Sequence, residues 1–135
     1  MYNNAGVEFA RRWLISTLGL TFASVPCAYH IFELNCFQQV SDNSEVPIDI
    51  LPNGSKVSPE VGSLLIWTEH LRGTGHVAIV TEVMHADHCI RIAEQNWDDK
   101  YWPEGRDYGR QLSIRVDEEE RMWVEDRHIL GWINV

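Results

Sequence analysis

Gly75-His76-Val77-Ala78-Ile79-Val80-Thr81-Glu82-Val83-Met84 is followed by a polar tetrapeptide and then by Ile90-Arg91-Ile92-Ala93-Glu94-Gln95-Asn96. Both stretches are rich in β-branched residues and are separated by the short polar segment 85–88. This pattern predicts an antiparallel hairpin, and the rest of the chain can be placed around it.

The register of this hairpin decides which polar side chains meet. If Met84 pairs with His88, His76 lies opposite Asn96, and Glu94 lies two residues along the partner strand on the same face. A slip of one residue would put His76 and Glu94 on opposite faces of the sheet.

A histidine beside a carboxylate and an amide is the base and orienting half of a nucleophilic site. The competing interpretation is a half-buried strand histidine with polar neighbours, and periodicity alone favours that simpler interpretation.

The composition describes one globular domain spanning residues 1–135. Hydrophobic residues make up 44% and charged residues 23%, as in folded proteins. The net charge of -9 argues against nucleic acid, because little would neutralise phosphates. It is compatible with a cationic partner such as a polyamine, and equally with an ordinary acidic soluble protein.

Three cysteines without close spacing predict a reducing, cytoplasmic location and no disulfide framework. The stretch from Arg11 to Ala23 imitates a signal peptide, but Glu8 precedes the arginines, so an amphipathic helix is the better interpretation. No run approaches the length of a membrane span, which predicts no membrane partner.

The remaining elements predict an α+β fold with N-terminal helices packed on a small curled antiparallel sheet. One helix is expected from near Gly6 to Gly19 and a second from Ala28 to Val40. A turn is expected at Leu51-Pro52-Asn53-Gly54-Ser55. Strands are expected at residues 63–67, 111–116, 122–124 and 129–133, with a long loop at 97–109.

The hairpin tip holds His85, Asp87, His88 and Cys89, four possible metal ligands within five residues. A tip cannot easily aim adjacent residues at one ion, and no distant cysteine or histidine pair completes a site. A solvated turn is therefore the preferred interpretation, and no metal site is predicted.

Five motifs resemble, in the same order, the amidase domain of glutathionylspermidine and trypanothione synthetases, a papain-like CHAP domain. They are Val7-Glu8-Phe9-Ala10-Arg11-Arg12-Trp13-Leu14, Leu51-Pro52-Asn53-Gly54, Gly62-Ser63-Leu64-Leu65-Ile66-Trp67, Gly75-His76-Val77-Ala78-Ile79 and Arg91-Ile92-Ala93-Glu94-Gln95-Asn96. A closing Gly131-Trp132 extends the resemblance over nearly the whole chain.

The resemblance implies a cysteine amidase that cleaves the amide between glutathione and spermidine, with no cofactor. By resemblance, His76 is the base and Glu94 the acid that orients it. Asn96 would give polar support, and Arg11 would lie near the substrate groove. The family relatives also imply a fused synthetase domain as a possible partner.

The nucleophile does not carry over. The family has its cysteine immediately before Val-Glu-Phe, where this chain has Gly6. Cys27 and Cys36 lie beyond the first predicted helix, and Cys89 lies at the far end of the hairpin from His76. None of the three is expected to replace the missing thiol.

Three interpretations stay open from the residues. The chain is an amidase-type domain that is inactive as it stands, a pseudoenzyme that keeps the groove as a binding module for a glutathione–polyamine or peptide-like ligand, or a gene-model fragment. The family's upstream segment, which helps to wall the site, is absent, so the domain is expected to be truncated at its N-terminus.

Overall fold

The computed structural model describes residues 5–94 and 109–135. The predicted loop at 97–109 lies outside these ranges except for its last residue. In chain order the elements are α1 (Ala5–Leu18), β1 (Leu20–Thr21), a 3-10 helix (Ala28–Glu33), β2 (Cys36–Gln39), β3 (Glu45–Pro47), β4 (Asp49–Pro52), β5 (Leu64–Trp67), β6 (His76–Met84), β7 (Cys89–Ala93), β8 (Arg110–Val116), β9 (Met122–Val124) and β10 (Ile129–Asn134).

Helix α1 follows the predicted bounds. Its residues Val7, Ala10 and Leu14 recur at helical spacing and are fully or almost fully buried. Gly19 ends the helix in the left-handed region at φ 67°, and its N–H donates to the carbonyl of Ile15. Leu18, at the end of the helix, is 46% exposed.

The predicted second helix, Ala28 to Val40, is wrong. A 3-10 helix covers only Ala28–Glu33, and the backbone turns extended at Leu34. The following residues, Cys36–Gln39, form β2 between β1 and β3. Their backbone groups pair with β1 on one side and with β3 on the other, and this sheet pairing overrides the local helical pattern. One α-helix and one short 3-10 helix therefore accompany the sheet in the described part of the chain.

The predicted curled antiparallel sheet is confirmed. Seven strands follow the order β4-β10-β5-β6-β7-β8-β9, and all six neighbouring pairs are antiparallel. The strands predicted at 63–67, 111–116, 122–124 and 129–133 are β5, β8, β9 and β10, and each begins and ends within one residue of the predicted bounds. β5 and residues 77–80 of β6 are buried on both faces, which explains their continuous apolar sequences.

The sheet curls until the turn after β4 meets β9. The Gly54 N–H donates to the Met122 carbonyl at 2.8 Å, and the Val124 N–H donates to Asn53 Oδ1 at 2.9 Å. Gly54 has φ 96°, and a Cβ there would lie 2.6 Å from the Trp123 ring. Glycine thus permits both the turn and the close approach of the indole, and the predicted Asn-Gly turn becomes a seam between the two edges of the sheet.

Two core clusters lie on the two faces of β5 and β6. Leu64, Ile66, Val77 and Ile79 pack in the first cluster with α1 and the 3-10 helix. The alternate residues pack in the second cluster, inside the curl, and include Leu65, Trp67, Ala78, Val80, Ile90, Ile92 and Trp132. His76 alternates with Ala78, so it continues the face of the second cluster.

The hairpin register differs from the prediction at its tip. Met84 pairs with Cys89, not with His88. A register shift between Val80 and Glu82 leaves Thr81 as an extra residue, the arrangement of a β-bulge. Beyond the bulge, Ile79 pairs with Ala93, which is the register that the sequence predicts for the end that carries His76.

Candidate active site

His76 begins β6 and lies directly opposite Trp67 of β5. The Trp67 ring packs on the imidazole with ring centroids 4.9 Å apart. Gly75 leads into the strand at φ 73°, and a Cβ there would lie 2.5 Å from the Trp67 carbonyl oxygen. The glycine therefore allows the chain to enter β6 close against β5, and the imidazole is held with its side chain 16% exposed.

Glu94 follows the last residue of β7 and reaches the imidazole. His76 Nε2 and Glu94 Oε1 are 2.6 Å apart. The observed register places Glu94 diagonally across from His76 and on the same face, within reach of a longer side chain. The structure thus brings together the histidine and carboxylate that the hairpin pattern predicts to be neighbours.

Gly6, the second residue of α1, lies on the other side of the same imidazole. A Cβ at Gly6 would lie 3.5 Å from His76 Nδ1 and 3.8 Å from Cε1, which are ordinary contact distances. Gly6 is also not among the positive-φ residues, so its backbone accepts a side chain. The imidazole therefore lies between the Glu94 carboxylate and the first turn of α1.

Glu94 is ionised and makes a second ion pair, with Arg110 of β8. Burial alone would raise the pKa of Glu94, but hydrogen bonds from His76 and Arg110 outweigh it and lower the pKa from 4.5 to about 2. Arg110 Nε lies 2.5 Å from Glu94 Oε2, and Nη2 lies 3.1 Å from Oε1. Burial opposes the charge of Arg110, yet the hydrogen bonds and ion pairs with Glu94 and Asp126 raise its pKa above the ordinary arginine value.

The ionised carboxylate fixes where the imidazole proton lies. A carboxylate can only accept hydrogen bonds, so Nε2 must carry the hydrogen that points to Glu94. In the neutral imidazole the other nitrogen, Nδ1, is then the acceptor. This is the nitrogen nearest to Gly6, so the ring presents its basic atom to residue 6.

The CHAP domain family model matches residues 3–96 of the chain. The chain belongs to the CHAP domain family.

Three curated proteins show which members of the family this CHAP domain is similar to. It is 38% identical over 132 residues to the bifunctional glutathionylspermidine synthetase/amidase of Escherichia coli (strain K12), covering 94% of this chain and 21% of that protein. The identity is 36% over 133 residues with a glutathionylspermidine synthase of Crithidia fasciculata, covering 96% and 18%. A trypanothione synthetase from the same organism is 32% identical over 136 residues, covering 94% and 20%. The chain thus spans about a fifth of the length of these relatives.

Arg11 has partners within the CHAP domain. Its guanidinium donates to the Phe22 carbonyl and to Thr21 Oγ1, and it lies 4.2 Å from the centre of the Phe22 ring. Glu8, one turn earlier in α1, lies 3.7 Å away. The contacts with Thr21 and Phe22 hold α1 against β1 and the residue that follows it. The expected contact of Arg11 with substrate stays a prediction.

The remaining residues weighed for the site are Asn96 and the three cysteines. Asn96 lies outside the described residues, so its expected support of the site stays a prediction. Cys27, Cys36 and Cys89 are free thiols, and Cys89 pairs with Met84 at the opposite end of β6 from His76.

Residues 85–88 at the hairpin tip form an exposed turn. Among residues 5–94 and 109–135, no cluster of three or more His, Cys, Asp or Glu side chains could hold a metal ion. Within the same ranges no helix has the length and apolar character needed to cross a bilayer.

Sequence reasoning missed three residues around the site: Arg110, Asp126 and Trp67. Arg110 lies just outside the predicted strand, which begins at Gln111. Asp126 lies in the connection between β9 and β10, far from the hairpin in sequence. A possible signal was the spacing of Arg110 two residues before buried Leu112, since this puts the arginine on the inner face at the end of its strand.

Proposed function

We propose that this CHAP domain carries an amidase-type site for the amide between glutathione and spermidine, or for a similar peptide C–N bond. In the proposed site, Gly6 stands at the position of the nucleophile, so the chain binds such an amide without hydrolysing it. The observation that carries the proposal is that the Cβ position of Gly6 lies 3.5 Å from His76 Nδ1, while Nε2 of the same ring lies 2.6 Å from Glu94.

The proposed chemistry explains why this geometry supports an amidase. A cysteine thiol at residue 6 would give its proton to His76 Nδ1, and the thiolate would attack the amide carbonyl carbon. The imidazolium would then return the proton to the leaving amine, and water would release the acyl group from sulfur. Glu94 would stabilise the imidazolium throughout. Glycine has no atom that can form the bond to the carbonyl carbon, so the covalent route is lost.

With glycine at residue 6, the proposed site is a non-catalytic binding module. His76 and Glu94 form a partly buried pair beside Gly6, which offers no nucleophile, and this supports binding without hydrolysis. A polyamine ligand is cationic, and the net charge of -9 would attract it. The proposed ligand is therefore a small glutathione–polyamine or peptide-like amide.

The proposal concerns the amidase-type site alone. The synthetase activity named for the relatives is not proposed for this chain, although a fused synthetase domain is a proposed partner because the Escherichia coli relative is bifunctional. The proposed mechanism uses only protein side chains and water. The unpaired cysteines fit the proposed cytoplasmic location.

The first test is restoration of a reactive thiol by Gly6→Cys in the 135-residue chain. The helix N-terminus and the neighbouring imidazole should both favour the thiolate, so residue 6 should be alkylated by iodoacetamide well below the ordinary cysteine pKa of ~8.5. Peptide mass spectrometry separates residue 6 from the three native cysteines. With His76→Ala added, the titration of Cys at position 6 should move towards ~8.5.

A matched control is Thr17→Cys, which places a thiol on an exposed position at the other end of α1. It should titrate like an ordinary cysteine with or without His76→Ala. If Gly6→Cys behaves like this control, the site does not support a nucleophile, and the amidase-type proposal is wrong.

The second test is the unchanged chain with glutathionylspermidine. We expect binding by isothermal titration calorimetry and no release of spermidine. Turnover that iodoacetamide abolishes would contradict the assignment of Gly6 as an empty nucleophile position and would direct attention to the native cysteines. Absence of binding would remove the binding-module function.

A further inference from the structure

Five residues around the site form a closed ring of contacts. His76 meets Glu94, Glu94 meets Arg110, Arg110 meets Asp126, Asp126 meets Trp67, and Trp67 packs on His76. The distances between the partner atoms are 2.6, 2.5, 3.5 and 3.0 Å, and the two rings of the last pair are 4.9 Å apart. The five residues come from five different segments of the chain.

Arg110 donates hydrogen bonds to Glu94 from two nitrogens. Nε approaches Oε2 and Nη2 approaches Oε1, a forked arrangement that fixes the plane of a carboxylate as well as its position. Glu94 is 11% exposed, so its carboxylate lies mostly away from solvent. Oε1, which also meets His76, therefore cannot rotate away without breaking the fork.

Asp126 holds the arginine and the tryptophan at once. Its Oδ2 accepts the indole N–H of Trp67 at 3.0 Å and lies 3.5 Å from Arg110 Nη1. The guanidinium also lies 5.6 Å from the centre of the Trp67 ring. The same indole packs on the imidazole. The Asp126 carboxylate therefore anchors Arg110, which restrains His76 through Glu94, and Trp67, which contacts His76 directly.

We propose that Arg110 is a positioning residue: anchored by Asp126, it locks the Glu94 carboxylate so that His76 keeps its hydrogen on Nε2 and turns Nδ1 towards residue 6. This inference rests on the proposed function only in taking His76 as the base. Arg110 acts through Glu94 and does not itself touch residue 6 or the reacting atoms.

The test follows the His76 tautomer in the full 135-residue chain, which needs no nucleophile and no substrate. The imidazole ¹⁵N chemical shifts distinguish the two tautomers, and His76→Gln assigns the signals among the six histidines. The spectra are recorded at about pH 8.5, where histidine side chains are ordinarily neutral. We expect the Nε2–H form to exceed the Nδ1–H form by at least about tenfold, which equals ~1.4 kcal/mol.

Arg110→Met removes the fork while keeping an apolar stem. We expect the tautomer ratio to fall by at least about threefold, because Glu94 is then free to rotate. Arg115→Met is the matched control: Arg115 lies on the same strand and over a tryptophan, Trp123, but it is not part of the ring of five residues. Its removal should leave the His76 ratio unchanged.

Arg110→Lys decides the matter if Arg110→Met does not fold, which urea unfolding and the amide spectrum would reveal. Lysine keeps the charge but cannot form the fork, so the ratio should again fall. A ratio equal to that of the unchanged chain in the folded Arg110 variants would overturn the inference and make Arg110 a structural ion pair only.

Glu94→Leu separates the two proposals, because leucine fills the space but has no oxygen to accept a hydrogen bond from His76 Nε2. If Glu94→Leu lowers the ratio but the Arg110 variants do not, the positioning role of Arg110 fails while the proposed function stands. If Glu94→Leu leaves the ratio unchanged, Glu94 does not orient His76, and both the proposed role of Glu94 and the inference about Arg110 are wrong.

Discussion

Glu94→Gln should destabilise the folded chain in a pH-dependent way. The substitution keeps the size of the side chain and removes the charge that His76 and Arg110 surround. The folded-state pKa of Glu94 is about 2 against an ordinary value of 4.5. A group whose pKa is lowered by folding stabilises the fold above its unfolded-state pKa and loses that contribution as the pH falls.

The magnitude follows from the two pKa values. At 1.36 kcal/mol for each tenfold change in proton affinity, they correspond to about 3 kcal/mol of stability near neutral pH. Linkage then predicts that about 1.4 kcal/mol is lost by about pH 3.5, and most of the contribution by about pH 2. Glutamine does not titrate, so the difference between the two proteins should follow this curve.

Urea unfolding at about pH 5.5, 4.5 and 3.5 measures the difference in free energy of unfolding. Glu82→Gln is the matched control, because Glu82 is also paired with an arginine, Arg91, at 3.0 Å, and belongs to the same hairpin. Its side chain is 49% exposed, so we expect less than about 1 kcal/mol from this substitution.

A difference between the unchanged chain and Glu94→Gln that stays constant from about pH 5.5 to 3.5 would refute this reasoning. It would mean that the ionised form of Glu94 gains nothing from its neighbours when the chain folds, and that the ion pairs described here do not stabilise it.

Two further substitutions test the elements that carry the site and the seam. Gly75→Ala should lower the free energy of unfolding by about 2–4 kcal/mol, because the new Cβ would meet the Trp67 carbonyl and Tyr29 and the φ of residue 75 is positive. A free energy of unfolding in urea within about 1 kcal/mol of that of the unchanged chain would contradict this expectation. Asn53→Ala should cost about 1–3 kcal/mol in the same assay, because it leaves the Val124 N–H without its 2.9 Å acceptor; a neutral result would mean that the seam does not depend on this side chain.

The hairpin shows what local sequence can predict and where it stops. Alternating β-branched residues identified both strands and put His76 and Glu94 on one face. The prediction placed the pairing of Met84 one residue away from the observed register, yet the end that carries the site is correct, because the bulge at Thr81 restores the register. Nothing in the local apolar pattern distinguishes Thr81 as the extra residue, since bulges depend on how the partner strand is bent.

The helix predicted over Cys36–Gln39 is wrong for a different reason. Its spacing of apolar residues fits a helix, but Phe37 is buried beside Phe22 with ring centroids 5.5 Å apart, and the strand pairs with β1 and β3. Such contacts depend on tertiary structure and outweigh a weak local preference.

Arg110 and Asp126 illustrate the same limit within the candidate site. They lie 16 and 32 positions after Glu94 in the sequence. The pairing of β8 with β7 brings Arg110 beside Glu94, and Asp126 reaches Arg110 from the connection between β9 and β10. The sequence pattern placed β8 and β9 nearly correctly, but it did not predict their positions relative to the hairpin.

The seam between the turn after β4 and β9 has a consequence for how the molecule opens. β9 ends at Val124, whose N–H is bound by Asn53, and Asp126 follows only two residues later. Fraying of β9 would therefore release Asp126, and with it the hold on Arg110 and on the indole of Trp67. We therefore expect local opening at the seam and loosening of the imidazole to occur together, so that amide hydrogen exchange in β9 reports on the order of a site formed by other strands.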